Sequence, residues 1–178
     1  MLRLLRMPTT RLGPDIWGHW EQPRFRSDGR PSLPADPRLQ TLQRYWTEAA
    51  GQGELPQRRD VFPVRLPLVL PHIFVLDVVG ETFRYRLRGT EIDRRLGHGR
   101  TGLTLEECGY GDSLDDVKRD YANAVRQRRP LTTRGLLHWG NEWNALRYEN
   151  IRLPVGDADG DVIHLLCAMV FHEKNLPD

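Results

Sequence analysis

The last strand-like run of the chain, Asp161 to His172, is apolar on both of its faces. Ile163, Leu165, Cys167, Met169 and Phe171 alternate with Val162, Leu166, Ala168 and Val170. Successive side chains of a strand point to opposite sides of its sheet, so this segment needs cover on both sides. The helices expected between residues 90 and 129 can cover only one of them. The other must be met by a helix expected at 37–50, by a second copy of the chain, or by both. An uncovered apolar face marks an interface, and a homodimer is therefore expected through Leu39, Leu42, Trp46, Leu166 and Val170.

The remaining elements follow from local signals. Residues 1–35 hold six Arg and five Pro with Trp17 and Trp20 and no periodicity, which predicts an irregular N-terminal arm. A single domain over 36–174 follows. Asp36-Pro37 is an N-cap with proline in the first helical position, and Leu39, Leu42, Trp46 and Ala49 share a face until Gly51, which predicts a helix over 37–50. A proline-punctuated connection fills 52–72. Ile73–Val79 and Thr82–Gly89 read as a hairpin turning at Gly80-Glu81. Pairing Val79 with Thr82 sets Val78 against Phe83, Leu76 against Tyr85 and Phe74 against Leu87, six apolar residues on one side. Asp77 then lies across from Arg84, an expected ion pair.

Capping patterns at Thr90 and at Thr104-Leu-Glu-Glu107 predict two short helices, and Ser113 and Asp116 cap a longer one that Pro130 ends. Three strands are expected last, over Leu131–Trp139, Trp143–Leu153 and Asp161–His172. Strands followed by helices and then strands give an α+β fold.

That order, two strands, short helices ending in a longer one, then a three-stranded meander, resembles a PAS domain. The closer resemblance is to a short stand-alone bacterial PAS-like family. Its pieces here are Tyr45-Trp46, Leu66-Pro67, Leu70-Pro-His-Ile-Phe-Val-Leu-Asp77, Tyr85-Arg-Leu-Arg-Gly-Thr90, Leu96-Gly97, Thr101-Gly102 and Tyr148-Glu-Asn-Ile-Arg-Leu-Pro154. The resemblance spans about residues 40 to 172. It implies a five-stranded antiparallel sheet with helices on one face and an N-terminal helix. It also implies a sensory or regulatory module without catalysis, binding a small ligand in its cleft and signalling to a downstream protein. The alternative is a ligand-free adaptor for protein contacts or dimerisation. Tyr85 and Leu87 on the hairpin and Tyr121 on the long helix are the expected cleft residues.

Several chemistries are disfavoured. Haem-binding relatives usually carry a histidine on the long helix, and 113–129 has none. The flavin photosensor signature, rich in Asn, Cys and Arg, is absent around Cys108. Two cysteines cannot hold an Fe–S cluster. His164 and His172, eight residues apart in a strand, are about 26 Å apart and cannot share an ion. The carboxylates Asp112, Asp115 and Asp116 read as helix-start acids rather than catalysts, and the core faces derived above contain almost no ionisable groups. The cofactor is unknown, and no metal site is expected.

Of 26 cationic residues only Lys118 and Lys174 are lysine, and the arginines are scattered among 24 acids, so nucleic-acid binding is not expected. The apolar runs are far shorter than the roughly 20 residues of a membrane helix, and the N-terminus makes a poor secretory signal. A cytoplasmic location is expected.

Overall fold

The computed structural model describes residues 24–27, 33–53, 55–61, 65–139 and 141–172. Helices α1 (Pro37–Ala50), α2 (Thr90–Leu96) and α3 (Leu114–Gln127) accompany strands β1 (Arg24–Ser27), β2 (Ile73–Val79), β3 (Thr82–Arg88), β4 (Leu131–Trp139), β5 (Asn141–Gly156) and β6 (Val162–His172). The strands form one antiparallel sheet in the order β1-β4-β5-β6-β2-β3, with the two longest at its centre. The five strands expected from the sequence are all present. A sixth, β1, arises within the stretch read as an irregular arm. It pairs with β4, setting Arg24 opposite His138 and Ser27 opposite Gly135.

Both faces of the sheet are covered, as β6 requires. On one face α2, α3 and the 103–110 segment enclose Phe74, Leu76, Phe83, Tyr85, Leu165 and Cys167. On the other, α1 lays Leu39, Leu42 and Trp46 over Ile151, Leu153, Leu166, Ala168 and Val170. The helix starts where Asp36 accepts the Arg38 N–H at 2.8 Å. Trp46 Nε1 donates to the Pro154 carbonyl at 2.7 Å, which satisfies the buried indole.

This arrangement corrects the expected dimer face. Leu39, Leu42, Trp46, Leu166 and Val170 are between 0% and 6% exposed within one chain. The helix of the same chain covers the apolar strand face, so none of the five is available to a second copy.

The hairpin also departs from its expected register. Val79 pairs with Thr82, Val78 with Phe83 and Leu76 with Tyr85, but a β-bulge then sets Val75 against Leu87 and Phe74 against Arg88. The extra residue, Arg86, reverses the alternation beyond it. Leu87 turns away from the helices and is 49% exposed, while Arg88 turns toward them. Asp77 does lie across from Arg84, yet its ion pair is with Arg86 at 3.2 Å.

Two smaller corrections concern helix starts. Glu107 does accept the Thr104 N–H at 2.8 Å, but the segment forms turns rather than a helix. Ser113 makes no side-chain cap, and a single 3-10 turn at Gly111–Ser113 leads into α3 instead.

Candidate functional site

Two places in the fold combine polar groups with apolar surroundings, one on each face of the sheet. The first is a tyrosine and arginine cluster beneath α2 and α3. Phe83 and Tyr85 face inward from β3, Phe74 from β2 and Tyr121 from α3, with ring centroids 5.5 to 6.4 Å apart. Tyr110 arrives from the loop that precedes α3, and its hydroxyl meets that of Tyr85 at 2.5 Å. Burial pushes the ionisation of Tyr85 and Tyr121 well above the usual phenol range and raises that of Tyr110. All three hydroxyls are therefore protonated at neutral pH.

Arginines close this cluster, against the expectation of core faces almost free of ionisable groups. Arg88, turned inward by the bulge, has a side chain only 1% exposed and stacks on Tyr85 with its guanidinium carbon 5.1 Å from the ring centre. Arg100 is 3% exposed and stacks on Tyr110 at 5.4 Å. It is carried there by residues 102–105, which run along the outer edge of β3 and pair with it: Gly102 N–H donates to Tyr85 O, Tyr85 N–H to Leu103 O and Leu105 N–H to Phe83 O. Arg152 stacks on Tyr121 at 5.4 Å and is held by Asp120 at 2.9 Å and Thr133 at 3.1 Å. Both cysteines lie in this core, where burial raises the Cys108 thiol and pushes that of Cys167 up to about 12.

The second place is a groove of about 840 Å³ on the α1 side. Helix α1 packs over β5 and β6. The 55–61 segment joins the sheet at its far end, where Gly156 N–H donates to Pro56 O at 3.0 Å and Gln57 bridges Gly156. Between that segment and the hairpin lies an apolar floor of Ile73, Val75, Leu87 and Leu166, with Arg58, Arg86 and His164 around it. His164 Nδ1 lies 2.8 Å from Asp77 Oδ1, and burial of the ring lowers its pKa despite that carboxylate.

The expected cleft residues therefore do not form one site. Tyr85 and Tyr121 share the tyrosine cluster, and Leu87 lines the groove on the opposite face. Sequence reasoning missed Arg88, Arg100, Val75 and His164. A run of alternating Arg in β3 was visible, but it reads as a solvated face unless the bulge is known. Among the described residues no three His, Cys, Asp or Glu side chains gather as metal ligands, and no helix is long and apolar enough to cross a membrane.

A family model described as PAS domain matches residues 35–170, most of the chain and both faces of the sheet. No curated protein matches it.

Proposed function

Because the chain belongs to the PAS domain family, we propose that it is a non-catalytic regulatory module that takes a small amphipathic molecule into the groove on the α1 side and signals through protein contacts. PAS domains are sensory and regulatory modules in general, and they often mediate interactions. The reading rests on one observation, the groove itself. A volume of about 840 Å³ over Val75, Leu87 and Leu166 has the size and lining of a small-molecule site. Arg58, Arg86 and His164 suit a ligand with an apolar body and a polar, acceptor-bearing end. The groove touches β2, β3 and β6 together, so a molecule seated there bears on the hairpin and on the centre of the sheet at once.

A second reading has its own support. Leu87, on the groove, is 49% exposed, and an apolar side chain there can equally receive a side chain of a downstream protein, as an adaptor would. Native and denaturing mass spectra of the freshly purified full chain separate the two. The ligand reading expects a non-covalent mass of a few hundred daltons, as a cavity of this size holds. It expects that mass to be lost on denaturation and reduced or missing in Leu87→Trp, whose indole intrudes on the apolar floor of the groove. A bare chain mass overturns the ligand reading in favour of the adaptor. An added mass that survives undiminished in Leu87→Trp places the ligand elsewhere.

A further inference from the structure

The polar end of the groove on the α1 side carries a positive charge that the chain around it does not balance. His164 sits there in mid-strand, between Asp77 on β2 and Val155 on β5. Its Nδ1 lies 2.8 Å from Asp77 Oδ1, and Arg86 on β3 pairs with the same carboxylate at 3.2 Å. Arg58, on the 55–61 segment, and Arg86 both act electrostatically on the ring, and all three side chains line the groove. Arg58 is exposed and makes no ion pair or hydrogen bond among the described residues. Two guanidiniums thus stand against one carboxylate. Arg59 lies 3.8 Å from its own partner, Asp60. The other acid on the groove, Asp157, is turned to its own loop, where its Oδ1 accepts the N–H groups of Asp159 and Asp161 at 3.0 and 2.9 Å.

The imidazole sets a second condition. A carboxylate oxygen 2.8 Å away favours a proton on Nδ1, which leaves Nε2 of the neutral ring with a lone pair. Nε2 has no partner among the described residues and, unlike Nδ1, is not enclosed by the protein. Burial lowers the pKa of the ring, so without a ligand it is mostly uncharged at pH 7. A lone pair there repels an anion held by Arg58, whereas a protonated ring donates to it.

We propose, building on the ligand reading above, that the groove takes an amphipathic carboxylate, its two oxygens between Arg58 and His164 and its apolar body over Val75, Leu87 and Leu166. One carboxylate supplies the single negative charge that is missing and offers the two oxygens that a guanidinium fork matches. A phosphate monoester carries about 1.5 to 2 negative charges at pH 7 and would exceed it. His164 takes a proton from solvent as the ligand binds, because the bound anion together with Asp77 outweighs the burial that otherwise keeps the ring neutral.

Isothermal titration of the full chain at pH 7 tests this with three molecules of one chain length, decanoate, decan-1-ol and decylamine. Decanoate should bind at least about tenfold more tightly than decan-1-ol, as a charge-assisted hydrogen bond provides, and decylamine more weakly than either. Arg58→Gln, at an exposed position where the fold is not at risk, should cancel the advantage of decanoate and leave decan-1-ol unchanged. Arg65→Gln, exposed and outside the groove, should change neither. Titrations in two buffers of different ionisation heat should show net proton uptake with decanoate and none with decan-1-ol, and His164→Gln should abolish it. Equal affinity for decanoate and decan-1-ol overturns the carboxylate, as does undiminished decanoate affinity in Arg58→Gln or failure of all three molecules to bind. Absence of proton uptake by the parent overturns the part given to His164, a readout that stands even should His164→Gln not fold. A ligand mass in the native spectrum alongside any of these failures keeps the groove and discards its carboxylate, whereas a bare mass alongside them discards both.

Discussion

Glu149 holds the start of α1 to the centre of the sheet, and replacing it with Gln isolates what that link contributes. The carboxylate is 2% exposed on β5. One oxygen accepts the Ala35 N–H at 2.9 Å and Arg134 Nε at 3.0 Å, and the other accepts the Asp36 N–H at 2.9 Å. A glutamine offers one oxygen where there were two. In its better orientation it keeps the Ala35 and Arg134 bonds and points its NH₂ at the buried Asp36 N–H. A charge-assisted hydrogen bond is lost and two donors face each other without an acceptor. The combined cost is about 3 kcal/mol, which for a chain of this length lowers Tm by about 6 to 12 °C. Arg134→Met is the comparison: its side chain is 46% exposed and its loss also removes the bond to the Leu33 carbonyl at 3.0 Å, but Glu149 keeps its two backbone donors, so the cost should be smaller than that of Glu149→Gln. Calorimetry of the parent and both variants gives the answer. A fall below about 2 °C for Glu149→Gln, or an equal fall for Arg134→Met, would refute the view that the buried carboxylate anchors α1 through the backbone donors of residues 35 and 36.

Two further outcomes are expected. Gly89→Ala would place a Cβ 2.4 Å from the Pro71 carbonyl oxygen and 2.5 Å from that of Leu70, both backbone atoms, while the Gly89 N–H donates to Ile73 O at 2.7 Å. The strain should cost at least about 1 to 3 kcal/mol and lower the chemical-denaturation midpoint with little change in slope. Stability should also fall on mild acidification. Burial lowers the pKa of His72 and of His164 below the ordinary value of 6.5, so the unfolded chain takes up protons first as pH drops, and the stability present above that value is lost through the lower folded ones. Melts from pH 7.5 to pH 5 should show Tm falling with pH, and the double variant His72→Gln, His164→Gln should flatten that dependence.

Much of the fold was legible because its signals are local. Asp36-Pro37 and the Leu39, Leu42, Trp46 stripe define α1, Gly80 permits the hairpin turn with its φ of 59°, and the double-sided apolar pattern of β6 demands a two-sided cover. The Gly89-Thr90 pair that helped carry the family resemblance has a packing reason, the close approach of Gly89 to the Leu70 and Pro71 carbonyls. The candidate sites were far less legible. Leu87 and Arg88 exchange faces at a bulge that inserts a single residue into β3, and no periodicity announces such an insertion. Placing one leucine on the wrong face hid both the groove and the inward arginine.

From the sequence alone came the order of elements, the α+β class, the capped helix and the need for two apolar layers, since all of these depend on spacings of a few residues. Tertiary structure decided which layer covers which face, because α1 and a second copy of the chain offer the same apolar stripe and only the docked geometry chooses between them. It also decided that Glu149 receives backbone donors 113 and 114 positions away, that β1 joins β4, and that Arg88 and Arg100 each stack on one member of a tyrosine pair. Each of these joins residues that are remote along the chain, and their burial, charge balance and hydrogen-bonding partners exist only once the sheet has brought them together.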